Sequence, residues 1–126
     1  MSSPMPWTLD ARIPIVIAED PAALAAALAA GPAAAVLAEA PPPPLPSGAV
    51  ALASFDLCVP HAAGCTCCGG RPPAAVALDR LFQARVRGQC GWFDRVLALA
   101  ETPEARQAIM VALQQDAVTA ARFRAA

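Results

Sequence analysis

The order of elements in this sequence predicts an α/β fold, a small parallel or mixed sheet flanked by helices. Three observations carry that expectation. Short β-branched and apolar runs alternate with stretches of helical spacing. Two of the helical stretches open on Asp-Pro or Thr-Pro, a cap followed by a proline that is already set for a helix. Gly-Pro pairs, single glycines and proline clusters fall between the runs and close them. The resulting order is strand, helix, strand, strand, helix, strand, helix. At 126 residues the chain bounds a single domain. Residues 12–126 are assigned to it, and residues 1–11, with the breakers Ser2, Ser3, Pro4 and Pro6, to a flexible lead-in.

Arg12 to Ala18 is a β-branched run of the kind found in buried strands, and Pro14 favours an edge or the strand start, because it has no N–H to give to a ladder. Asp20-Pro21 then opens a helix over Ala22 to Ala30, stopped by Gly31-Pro32. Ala34 to Ala38 is a second strand, weakly specified by its alanines. Pro41 to Pro46 form a rigid polyproline-type connection. Gly48 to Phe55 is a third strand, and it delivers the chain to a cysteine-rich loop at 64–70. Pro72-Pro73 start a helix to about Arg87, closed by Gly88, with Ala74, Leu78, Leu81, Phe82 and Val86 as its apolar stripe. Trp92 to Leu99 is a fourth strand. Thr102-Pro103 caps a last helix to about Asp116, with Ala105, Ile109, Ala112 and Leu113 facing inward, and residues 117–124 are expected to add a helical turn or two.

Composition narrows the function classes. The formal net charge is −1, so the chain carries no electrostatic footprint for nucleic acid. The hydrophobic share is 57%, but much of it is alanine, which adds little volume, so a thin core is expected. Lysine, asparagine and tyrosine are absent and every basic residue but His61 is arginine, the coding bias of a high-GC bacterial genome. The N-terminus shows no basic segment running into an apolar core, and the alanine tract from Ala22 to Ala38 is broken by Gly31-Pro32, so it makes a poor membrane span. The protein is placed in the cytoplasm. In that compartment an odd set of five cysteines reads as thiols or metal ligands before disulfides.

Chemical potential concentrates in one stretch, Gly64-Cys65-Thr66-Cys67-Cys68-Gly69-Gly70-Arg71. Glycines on both sides let the backbone bend around a small object. Thiolates suit zinc, which is borderline-soft and accepts tetrahedral sulfur. Cys65 and Cys67 point the same way in an extended loop, and Cys68 converges with them if the chain turns. Three thiolates leave one position for His61, Cys58, Cys90, water or a partner's group. An open position suits metal transfer better than a closed structural site. Cys90 is the weaker candidate, because a helix on the order of 20 Å long separates it from the loop.

The plainer readings stand beside this one. His61 is as readily a surface loop residue, Cys58 a small buried hydrophobe, and the three clustered thiols free and oxidisable. Cys65 and Cys68 have the CxxC spacing of a redox pair, whereas the neighbours Cys67 and Cys68 would close a strained ring. Arg71 either lowers the thiol pKa values by its charge or is solvated. Trp92 and Phe93 are expected in the core or at its edge.

Over roughly residues 48–126 the sequence resembles the CobW family of P-loop GTPase metallochaperones. Gly64-Cys65-Thr66-Cys67-Cys68 matches that family's GCxCC metal-binding motif, Phe93-Asp94-Arg95-Val96 is similar to its FDRV strand, and Asp116 with Ala120-Ala121-Arg122-Phe123-Arg124 is similar to its "DP…AARFR" segment. The resemblance implies a reduced P-loop-GTPase-like domain, and zinc or cobalt as the metal sensed or delivered. The departures are equally specific. Glu19-Asp20-Pro21-Ala22-Ala23 stands where GxxxxGK[ST] would be, and a chain without lysine has neither the phosphate lysine nor the base-reading motif. Leu99 and Thr102 replace the glutamate and glycine that follow the FDRV strand, Glu101 comes two residues late, and the chain stops where the family's next strand would begin.

The expectation is therefore a non-catalytic relative that binds no nucleotide and holds a thiophilic divalent metal through Cys65, Cys67 and Cys68, with His61 or Cys58 as fourth ligand. The competing expectation is an interaction or regulatory subunit that docks on a full-length GTPase relative and has no metal role of its own.

Overall fold

The computed structural model of the protein describes residues 10–57 and 71–126. Strands β1 (Ile13–Ala18), β2 (Ala34–Glu39), β3 (Ala49–Phe55), β4 (Arg95–Leu99) and β5 (Phe123–Ala125) form one five-stranded sheet in the order β3-β2-β4-β1-β5. Every pairing is parallel. The helices are α1 (Pro21–Ala29), α2 (Pro73–Val86), α3 (Pro103–Gln115) and α4 (Ala117–Arg122). None of the described helices is long and apolar enough to cross a membrane.

Strands covered on both faces must be apolar throughout, and β2 shows it: Ala34 to Ala38 are all buried. Alternate residues divide between two cores. Ala35, Leu37, Val96, Ala98, Ile13 and Ile15 meet α2 and α3 on one face. Ala34, Val36, Ala38, Leu97 and Leu99 meet Leu24 and Leu28 of α1 on the other. Alanine explains the close packing: α2 lays Ala74, Ala75 and Ala77 beside Leu78 and Leu81, all nearly inaccessible to solvent.

The crossovers keep one hand. From β1 to β2 the chain moves toward the β3 edge with α1 on one face. From β3 to β4 and from β4 to β5 it moves the other way, with α2 and α3 on the opposite face. Reversing direction and face together preserves handedness, as the chirality rule for parallel crossovers demands. The step from β2 to β3 has no helix. Its proline connection lies on the α1 side, where Pro43 to Pro46 face Leu24 and Leu28, so stiff chain takes the place of a helix there.

Several elements depart from the sequence reading. Residues 117–124 are not helical throughout: α4 ends at Arg122, and Phe123–Ala125 form β5 along β1, Ile13 opposite Phe123. Three residues are too few for a strand pattern, and pairing with β1 decides their conformation. Trp92 to Asp94 lie outside β4, which starts at Arg95. Phe93 is fully buried as expected, but Trp92 is 59% exposed, and Val86, expected in the apolar stripe of α2, is 53% exposed. Pro14 is the second residue of an interior strand. It pairs with β5, and the β4 ladder begins one residue later at Ile15.

Candidate functional site

Cys58, His61, Cys65, Cys67 and Cys68 lie in the segment 58–70, outside the described residues. The flanks of that segment are described. β3 ends at Phe55 and α2 begins at Pro73, so both flanks stand at the edge of the sheet formed by the C-terminal ends of its strands. Leu57, Pro72 and Pro73 line an apolar groove against Pro103, Gln107 and Ala108 of α3. Among the described residues no group of three or more His, Cys, Asp or Glu is placed to hold a metal ion. Cys90 follows α2 at the opposite edge of the sheet, half-buried against the larger core.

Arg71, the first described residue after the cysteines, is half-buried and held in ion pairs. Its guanidinium grips Asp116 with Nε and NH2 at 3.0 and 2.9 Å, and a second carboxylate, Asp79, lies 3.8 Å away. Asp79 also binds Arg122, whose guanidinium sits 4.2 Å from the centre of the Phe82 ring. Hydrogen bonding to Asp116 raises the Arg71 pKa further, so it is a permanent cation committed to partners. The exit of the cysteine segment is thereby tied to α2, α3 and α4 at once.

The residues of the FDRV and ARFR segments have structural work. Phe93 and Phe123 are among the largest fully buried side chains. Asp94 accepts from Trp92 Nε1 at 3.1 Å. Arg95 reaches the end of α1, donating to Ala27 O at 2.9 Å and Pro32 O at 3.0 Å, where a cation suits the exposed carbonyls. Gly31, with φ +118°, lets that guanidinium pass: a Cβ there would stand 3.3 Å from it.

Open α/β sheets take ligands at the C-terminal edge, where neighbouring strands send their connections to opposite faces. Here that point lies between β1, which leads to α1, and β4, which leads to α3. Ala100 N bonds Ala18 O at 2.9 Å and closes the floor. Glu19, Asp20, Glu101, Thr102 and Arg106 line a small cleft above it. Two residues, Glu19 and Asp20, join β1 to α1, and Asp20 spends its carboxylate on the helix, accepting from Ala23 N at 2.7 Å. Thr102 does the same for α3 through Ala105 N at 3.1 Å. One amide at the head of each helix is thus taken from within, and Arg106, the cation of the cleft, is bound to Glu19 at 3.0 Å.

Beside this cleft, between α1 and the proline connection, runs a larger groove of about 740 Å³. Sequence reading missed it, because its walls come from a helix and a loop whose apposition depends on the strand order. The signal available was the run Pro41 to Pro46, too stiff to collapse onto α1. Comparison of the chain with family models, with curated proteins and with solved structures finds no match.

Proposed function

We propose that this protein binds a thiophilic divalent metal, zinc first and cobalt second, through Cys65, Cys67 and Cys68, and that it acts in metal handling without catalysis. The observation that carries the reading is three thiols within four residues, bracketed by glycines, in the segment that joins β3 to α2. Three sulfur donors with His61 or Cys58 beside them fit the tetrahedral preference of zinc and leave a position for exchange. The two-residue acidic turn at the head of α1 supports the companion reading, that the domain has the frame of a CobW-type GTPase without its nucleotide. The compartment that keeps such thiols reduced is the cytoplasm.

The deciding experiment is metal content and free-thiol count on protein purified without oxygen or chelator, beside the Cys65→Ser/Cys67→Ser/Cys68→Ser variant. About one equivalent of zinc or cobalt is expected in the wild type, with the thiols protected. Loss of both in the variant completes the result. Absence of metal with freely titrating thiols overturns it.

A second reading, an interaction subunit, is favoured by the edge strand β3. Its sequence Ala49-Val50-Ala51-Leu52-Ala53-Ser54-Phe55 has neither charge nor proline, and among the described residues no strand lies beyond it. Edges of that kind pair with another chain unless they are blocked. Sedimentation of the isolated protein separates the two: a metal binder runs as a stable monomer, and a docking subunit self-associates or unfolds.

A further inference from the structure

We propose that the groove between α1 and the proline connection is a binding site for a small apolar amine, an alkyl or aryl group carrying one ammonium. Its volume of about 740 Å³ falls within the range of roughly 300–1,000 Å³ typical of small-ligand pockets. Leu24 and Leu28 form one wall, Pro43 to Pro46 the other, and Leu99 reaches it from β4. It opens at the C-terminal edge of the sheet, next to the point where β1 and β4 send their connections apart.

The charge in the lining has one sign. Glu39, at the end of β2, and Glu101, just past β4, are its ionisable residues, and it contains no arginine. Among the described residues neither glutamate side chain has a hydrogen bond or an ion pair. Arg106, the cation of the neighbouring cleft, is already bound to Glu19. A hydrocarbon group entering the groove leaves water for leucine and proline surface, while an ammonium enters a lining whose two ionisable residues are both acidic. A carboxylate ligand of equal size would meet like charge there. The site is independent of the thiols and is expected to survive in the Cys65→Ser/Cys67→Ser/Cys68→Ser variant.

The test titrates the full chain with hexylamine, hexanol and hexanoate, followed by amide chemical shifts. Hexylamine is expected to bind saturably and to move the amides of Leu24, Leu28 and Leu45. Exposed ion pairs are weak, so its advantage over hexanol is about fivefold, with hexanoate weakest. The Glu39→Gln/Glu101→Gln variant should bring hexylamine to the level of hexanol. Ala25→Trp, an exposed position on the α1 wall, should block all three ligands without touching the core. Hexanoate binding as tightly as hexylamine, shifts confined to another surface, or no saturable binding of hexylamine to the wild type overturns the proposal.

Discussion

Arg71 and Asp116 are joined by two parallel bonds, Nε to Oδ1 at 3.0 Å and NH2 to Oδ2 at 2.9 Å, across 45 residues of sequence. The same carboxylate caps α4, accepting from the backbone N of Thr119 at 3.0 Å and from its hydroxyl at 2.8 Å. One side chain therefore fixes both the start of α4 and the exit of the cysteine segment. Asp116→Ala removes the cap and leaves Arg71 without its main partner, and is expected to cost about 2 kcal/mol. Arg71→Ala leaves the cap in place and should cost about 1 kcal/mol. A double-mutant cycle in urea, comparing the two single variants with the pair, should return a coupling of about 1 kcal/mol. A coupling near zero would show that the bidentate contact contributes nothing to folding.

The same pair sets an acid limit. Hydrogen bonding from Arg71 is the largest influence on the Asp116 carboxyl. It outweighs desolvation, and the Thr119 amide and hydroxyl add to it, so the group is held far below its ordinary value of 3.8. A folded value below the unfolded one means the carboxylate's contribution is complete above the unfolded value and is lost as pH falls through the folded one. The urea midpoint should stay level from about pH 7 to about pH 5 and then decline below about pH 4. Asp10, at the surface and lowered to about 2 by its bonds with Arg12, titrates in the same direction. Asp116→Asn keeps a capping side chain, and it should flatten the decline more than Asp10→Asn does. Equal slopes in the two variants would assign the effect elsewhere.

The class of fold was legible because the strands of a doubly covered sheet read as continuous apolar runs, and Val36-Leu37 and Val96-Leu97 say so without help from the structure. Helix starts were legible at Asp20 and Thr102, where the capping bond needs three adjacent residues and nothing distant. Strand order was not, because it depends on which parallel neighbours bury Ala35 and Ala98 best, and alanine runs are nearly interchangeable. β5 escaped because the identity of Phe123-Arg124-Ala125 as a strand lies in β1, more than a hundred residues away. The ion pairs of Arg71 escaped for the same reason: its partners Asp79 and Asp116 come from other elements. The cysteine segment itself lies outside the described residues, and its flanks, Leu57 and Arg71, gain their place only from the parallel sheet and the helices packed on it.

Arg85 offers an optical test of the loop before β4. Its guanidinium lies 3.6 Å from the centre of the Trp92 ring and its Nε donates to Phe93 O at 2.8 Å. Burial lowers its pKa, and Asp94 at 3.8 Å opposes that. It thus works as a packed plane between an exposed indole and the core. In a Trp7→Phe background, where Trp92 is the sole emitter, Arg85→Ala should shift the emission to longer wavelength and cost about 1 kcal/mol. Arg85→Lys should recover little of either, because a lysine cannot both stack and donate from a planar group. Unchanged emission in Arg85→Ala would mean that the stacked pair does not persist in solution.

The turn at the head of α1 is built against phosphate, and the chain is expected to bind no guanine nucleotide. A phosphate cradle needs a run of free amides and a cation, and this turn supplies Glu19 and Asp20 in two residues, with Ala23 N already taken by Asp20. Glu101 stands across the cleft, and Arg106 is engaged by Glu19. Asp20→Ala frees the amide and should cost about 1 kcal/mol of stability through the lost cap. It should still not create a site, because Glu19 and Glu101 remain and no lysine is available to meet the phosphates. Titration of both proteins with a fluorescent GTP analogue and magnesium is expected to give a linear, unsaturable signal. Saturable, magnesium-dependent binding by the wild type would mean that the acidic cleft opens to phosphate in a way the Asp20 cap forbids.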